Sequence, residues 1–388
     1  MFVCDLSSVE DPAEPLTFDL DSFRNKSYLT HNFHPFAAKF VPQIPRAIIR
    51  RFTKPGDTIL DCFCGSGTAL VEAIIAGRHA VGLDVNPIAC LVSRAKTAPL
   101  SSVEQREVLD SIDQASSFLR EVLLGDPTRL ANFEVPEFHN RDHWFQSHVQ
   151  HELAALRSII RSRPEGRVRD FLSTALSAII VKVSNQESET RWVAVPKTLP
   201  RGVALSSFIL KAREMLVRLS ELESLVPATA RVLNQSVTES FPLPDNSIDL
   251  VVTSPPYLNS FDYYLYHKLR MFWLGFDHFP VQESELGSRH RHCDKREGIE
   301  TYTDGIEACL HQAVRCLKAR QVLCVVIGDA VLRNAVIDMK ELYSRLARTA
   351  GLELEESFSF DQRKYTTAFT RNYKKHPKKT HVLCFRRR

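Results

Sequence analysis

The chain has 388 residues, enough for one large domain or two ordinary ones, with 44% hydrophobic content and a formal net charge of +4. That hydrophobic share excludes a disordered chain, and no run approaches the roughly 18 apolar residues of a membrane-spanning helix. Met1 to Asp5 lack the basic-then-apolar start of an export signal, and the nine cysteines form no Cys-x-x-Cys, so a cytoplasmic location, reduced thiols and no membrane partner are expected.

Residues 1–27 are polar with two prolines and read as an irregular N-terminal arm. Thr58 to Phe63 reads as a strand that runs into the turn Phe63-Cys64-Gly65-Ser66-Gly67-Thr68, followed by a helix from Ala69 to Ala76 that ends at Gly77. His79 to Asp84 is a second strand, closed by Val85-Asn86-Pro87. From 101 to 229 the rhythm becomes helical, with apolar residues three and four apart over Val103–Leu124, Phe145–Arg161 and Val168–Val183. Strands then return at 231–235, 247–253 and 321–330, with a closing pair at 353–360 and 379–385.

Two turns carry the chemistry. Gly65 and Gly67 let backbone approach a ligand at a strand's carboxyl end, and Asp84 lies 23 residues beyond Asp61, near the spacing at which a βαβ unit sets a carboxylate on a ribose. A third glycine and a Lys-Ser/Thr pair are both missing, which excludes a dinucleotide fingerprint and a P-loop and favours a nucleoside ligand. Cys62 and Cys64 read as small core residues. The second turn, Ser254-Pro255-Pro256-Tyr257, follows the apolar run Ile248–Thr253. Its prolines fix φ and present carbonyl acceptors, and Tyr257 offers a flat face to a base. A Ser254 hydroxyl and the Pro255 carbonyl suit an exocyclic amino group, whose two hydrogens they would hold.

Together these segments resemble the S-adenosylmethionine-dependent amino-group DNA methyltransferases, and among them the cytosine-N4 type. An F-x-G-x-G turn and a D/N/S-P-P-Y/F tetrapeptide mark that family, and Thr30 to Phe40, with His34, Pro35 and Lys39, is similar to its segment before the first strand. The resemblance implies an α/β, Rossmann-like methyltransferase fold: a mixed seven-stranded sheet flanked by helices, with a large helical insertion between strands two and three. It implies S-adenosylmethionine as cofactor, no metal, and double-stranded DNA as partner, with a cognate restriction endonuclease left open. It divides the chain into the arm (1–27), a cofactor part (28–100), the insertion (101–229) and a catalytic part (230–388). Asp61 and the backbone at Gly65 and Gly67 would lie at the cofactor's methionine part and Asp84 at its ribose, with Phe63, Ser66 and Thr68 also in the cofactor site. Asn86, Pro87, Gln235 and Ser236 are candidates for the adenine edge. Ser254, Pro255, Pro256 and Tyr257 would be catalytic, with Ser in place of Asp favouring cytosine N4 over adenine N6.

Base readout has two candidate locations. Ser184 to Trp192 is a polar stretch in the insertion, in which Asn185, Gln186, Arg191 and Trp192 suit base edges. The competing elements are Asn259–Gly275 and Glu283–Asp304, the latter with Arg289 in a basic loop, Arg289 to Cys293, rather than a zinc site. From Asp361 to Arg388 ten Lys/Arg stand against one Asp, interleaved with aromatics and including Lys374 and Lys375, a composition suited to a phosphate backbone. Alternatives are an adenine-N6 or RNA amino-group methyltransferase, and a nucleic-acid-binding module without catalysis.

Overall fold

The computed structural model describes residues 27–223, 228–361 and 378–388. The first half of the sheet comes from α1 (Gln43–Phe52), β1 (Thr58–Asp61), α2 (Thr68–Ile75), β2 (His79–Asp84) and α3 (Pro87–Thr97). The insertion follows as α4 (Ser102–Leu123), α5 (Arg141–Trp144), α6 (Ser147–Arg161), α7 (Arg167–Ile179), a hairpin of β3 (Gln186–Ser188) and β4 (Arg191–Ala194), and α8 (Val203–Glu223). The chain then supplies β5 (Ala230–Asn234), β6 (Ile248–Thr253), α9 (Tyr263–Leu274), α10 (Phe279–Ser284), α11 (Glu300–Cys316) and β7 (Leu317–Gly328). Last come β8 (Ala330–Leu332), β9 (Ala335–Ile337), α12 (Met339–Thr349), β10 (Leu352–Phe360) and β11 (Thr380–Arg387).

Seven strands form one sheet in the order β10-β11-β7-β6-β1-β2-β5. β5, β2, β1, β6 and β7 run parallel, while β11 is antiparallel to both β7 and β10. This is the Rossmann-like methyltransferase arrangement, with the helical insertion between β2 and β5. The middles of the central strands, such as Leu250 to Val252 and Val322 to Ile327, are apolar because both faces are covered. Leu250 and Val252 of β6 face the core shared with α1, α2 and the insertion, whereas Val251 faces α11 and α12; β7 alternates in the same way. The insertion helices thus share a continuous apolar core with the sheet.

Three local expectations change. The polar stretch after α7 is not an open loop but the β3–β4 hairpin, and the helix stops at Ile179. β7 starts at Leu317, earlier than the 321 expected. The β8–β9 hairpin was not legible, because its turn places Arg333 and Asn334 at φ 50 and 65 without the glycine that normally marks such a turn.

The sheet order reverses between β1 and β6, so helices leave in opposite directions there and a crevice opens at the strands' carboxyl ends. The ends of β1, β2 and β6, with both motifs, meet in that crevice.

Candidate active site

A cavity of about 380 Å³, within the range of small-molecule sites, is lined by Asp61 to Ser66, Thr68, Asp84 to Asn86 and Ser254 to Tyr257. Motifs separated by some 190 residues are therefore one site.

At the end of β1, Asp61 Oδ1 accepts from the Thr253 hydroxyl (2.6 Å) and from the Phe63 N–H (3.1 Å), tying β1 to β6. Burial pushes its carboxyl up to about 7. Gly65 adopts φ +48 and donates its N–H to Asp84 Oδ2 at 2.9 Å, while Asn86 N–H reaches Asp84 Oδ1 at 2.8 Å. Burial lifts Asp84 to about 6, and each of its oxygens keeps a lone pair for a ligand hydroxyl.

Asn86 caps α3 by accepting the Ile88 N–H through Oδ1 at 3.0 Å. Its Nδ2 is buried without a partner in a residue only 5% exposed that lines the cavity. An orphaned donor beside a carboxylate and a glycine turn fits a nucleoside cofactor, whose ring acceptors and hydroxyls would complete these groups.

Ser254 donates its hydroxyl hydrogen to the Val326 carbonyl at 3.0 Å. That bond commits the proton, and with the Tyr257 phenol hydrogen-bonded to the same hydroxyl the oxygen keeps one lone pair as an acceptor. The Pro256 carbonyl accepts from Tyr302, which is paired to Tyr343 at 2.8 Å, so the turn is anchored from behind. Tyr257 packs against Gly328, where a Cβ would stand 2.6 Å from the ring, and burial pushes its phenol up to about 12.

Several expected site residues serve other purposes. His34 and Pro35 are not at the cavity wall; the His34 ring is buried and bonds Ser177 Oγ of α7 at 2.8 Å, pinning the segment to the insertion. Lys39 does line the cavity, but its ammonium caps the His31 and His34 carbonyls at 3.2 Å each. Gly67 lies behind the wall: a Cβ there would stand 2.7 Å from Ser93 Oγ, so this glycine lets α2 approach α3. Pro87 starts α3, and Gln235 turns its amide to the Ser240 carbonyl at 2.7 Å; of the four residues expected at the adenine edge, Asn86 and Ser236 line the cavity.

The proposed base-reading residues of the insertion are closed on themselves. Gln186 is fully buried with its amide N–H on the Ser188 carbonyl at 2.9 Å and its Oε1 unpaired among the described residues, and Asn185 donates to the His143 carbonyl at 2.8 Å. Trp192 packs on Trp144 at 4.4 Å, and Arg191 pairs with Glu187 at 2.6 Å. None of the four lines the cavity. Arg289 is exposed at the start of a short π-helical turn, beside Tyr266. Lys374 and Lys375 lie outside the described residues. Lys378 and Lys379 line the cavity, but Arg386 forks onto Glu355 at 2.7 Å and Arg388 pairs with Glu353, so part of the C-terminal charge is spent across β10 and β11.

Sequence reasoning missed Phe36, Tyr263 and Glu285, all on the cavity wall. Phe36 stacks on Tyr263 at 6.3 Å, and the buried Glu285 accepts the Tyr263 and Tyr264 N–H groups at 2.7 and 3.1 Å, holding the start of α9. Burial lifts its carboxyl to about 8. A Glu flanked by Ser284 and Leu286 gives no signal in sequence. Among the described residues no group of three or more His, Cys, Asp or Glu is placed to hold a metal, and no helix is long and apolar enough to cross a membrane.

A DNA methylase family model matches residues 12–94, beginning earlier than the residue 28 suggested by the motifs. The type II methyltransferase M.MvaI of Kocuria varians is 26% identical over 252 residues, 61% of this chain and 55% of that protein. The type II methyltransferase M.BsoBI of Geobacillus stearothermophilus is 24% identical over 293 residues, 67% of this chain and 55% of that protein, so the match spans about half the length of either relative. A tRNA (guanine(10)-N2)-dimethyltransferase of Methanocaldococcus jannaschii is 31% identical over 90 residues, 23% of each chain. With a methyltransferase-type sheet and both motifs at its switch point, the chain is a relative of the amino-group DNA methyltransferases of the N4/N6 type.

Proposed function

We propose that the protein transfers a methyl group from S-adenosylmethionine to the exocyclic N4 amino group of cytosine in double-stranded DNA. The observation that carries this reading is the Ser254 hydroxyl, committed as donor to Val326, hydrogen-bonded to the Tyr257 phenol and keeping one acceptor lone pair, in the same cavity as Asp84 and an Asn86 amide N–H unpartnered among the described residues. Asp84 would take the ribose hydroxyls, and Asn86 and Ser236 the adenine edge. When bound, the cofactor supplies an electrophilic methyl group on a sulfonium.

The chain's own residues supply orientation. A target base in a duplex has to be turned out of the stack, at a cost of a few kcal/mol, and a base stacked on Tyr257 returns about 1–3 kcal/mol. Ser254 Oγ and the Pro255 carbonyl accept the two amino hydrogens, which favours a localised nitrogen lone pair pointed into the cavity. A neutral hydroxyl at the head of the tetrapeptide supports cytosine over adenine. The type II relatives support a restriction-modification setting with a cognate endonuclease as partner.

Mass spectrometry of nucleosides from duplex DNA incubated with the protein and S-adenosylmethionine tests the reading, with N4-methylcytosine expected. N6-methyladenine as main product overturns the base assignment. The tRNA-modifying relative favours one second reading, transfer to an RNA amino group, and methylation confined to RNA would establish it.

A further inference from the structure

A second cavity of about 380 Å³ lies between α3, α6, α7 and the end of α9, and it shares no lining residue with the active site. α9 links the two: Tyr263 is in the first and Trp273 in the second, ten residues or roughly 15 Å along the helix. Four arginines line the second cavity, Arg94, Arg157, Arg161 and Arg169, against two carboxylates. One carboxylate is already used, since Asp170 is held by the Arg94 fork at 2.6 and 3.3 Å. The other, Glu165, reaches only Arg169, at 3.7 Å.

Arg157 and Arg161, one turn apart on α6, form no ion pair among the described residues. Among the described residues Arg157 Nε is buried without an acceptor, the Glu134 carboxylate acting on this guanidinium from beyond ion-pair distance, and the indole N–H of the fully buried Trp273 has none either. The Arg161 guanidinium lies 3.8 Å from where a side chain at Gly275 would begin. Adjacent guanidiniums repel each other, and buried donors without acceptors are costly, so this arrangement asks for a multivalent anion. The planar forks of arginine match phosphate oxygens, and an indole N–H can add a further bond.

The geometry points to a phosphate-binding pocket at Arg157, Arg161, Arg169 and Trp273, separate from the methyl-transfer site and independent of which base is methylated. The phosphate is either free or part of a nucleic-acid backbone. Thermal melting in inorganic phosphate, against chloride at matched ionic strength, gives the first arm. Phosphate is expected to raise the melting temperature of the native protein saturably, and Arg161→Gln, at an exposed residue that the fold does not need, should weaken that response about tenfold or more. Anisotropy with a DNA duplex across a salt series gives the second arm, with Arg161→Gln and Arg157→Gln. A salt slope reduced by about 0.9 per lost contact identifies backbone phosphate as the ligand. Unchanged duplex binding with a lost phosphate response identifies free phosphate. The proposal is overturned if the native and Arg161→Gln proteins respond alike to phosphate and also bind duplex alike.

Discussion

The crevice at the ends of β1, β2 and β6 and the β3–β4 hairpin of the insertion are both rich in polar side chains, yet folding treats them in opposite ways. In the crevice, Asn86 Nδ2 has no partner among the described residues, and the Ser254 oxygen keeps a lone pair beside its bonds to Val326 and Tyr257. In the hairpin, Asn185 and Arg191 find partners within a few ångströms inside the insertion, and Gln186 turns its amide N–H to Ser188 while its unpaired Oε1 lies in the core, away from the cavity. A polar residue marks a ligand site when its hydrogen-bonding capacity survives folding at a cavity wall, not when its type alone suits a ligand.

The largest test of this contrast is Ser254→Ala. Methyl transfer should slow about 10²–10³-fold, as for the loss of one acceptor in an oxyanion-type site, with cofactor affinity intact. Near-normal single-turnover rates would move the role to the Pro255 carbonyl. Next comes Gly328→Ala, which puts a Cβ 2.6 Å from the Tyr257 ring and forces it to shift. A displaced stacking face should lower turnover by about 10²-fold while the melting temperature changes little, and equal turnover would show that the ring does not position the base.

Asp84→Ala should weaken S-adenosylmethionine binding by about 1–3 kcal/mol in calorimetry, through lost hydrogen bonds to the ribose. Affinity unaltered in a folded variant would remove Asp84 from the cofactor site. The same carboxylate sets a pH dependence. Asp61 and Asp84 are raised by burial to about 7 and about 6, above their unfolded value of 3.8, so the protein alone favours their protonated forms and loses that stability as pH rises from about 4 to 6–7. A cationic cofactor with ribose hydroxyls favours the ionised forms, so binding within that window releases protons. Affinity should fall by up to about tenfold per pH unit per group as pH drops below 6. Calorimetry at pH 6 in two buffers of different ionisation enthalpy measures the release, and zero release would contradict the assignment.

The smallest effect is expected in the hairpin. Arg191→Ala removes an exposed pair with Glu187 and should change stability by less than about 0.5 kcal/mol and leave the methylated motif unchanged. A shifted motif, read by sequencing of methylated DNA, would return base readout to the insertion.

Strand periodicity, the Gly65 turn and Ser254 to Tyr257 were legible because each is a local device: a backbone that needs glycine, a proline turn after an apolar run, a carboxylate after a strand. They determined the fold class and which strand ends form the site. The tertiary structure alone decided that Gly67 serves helix packing and that His34 is a buried bolt to α7. It also brought Phe36, Tyr263 and Glu285 into the wall and set the arginines of α6 beside Trp273. Those outcomes depend on which groups meet across hundreds of residues, and on whether a partner arrives to take each donor and acceptor, which no local pattern encodes.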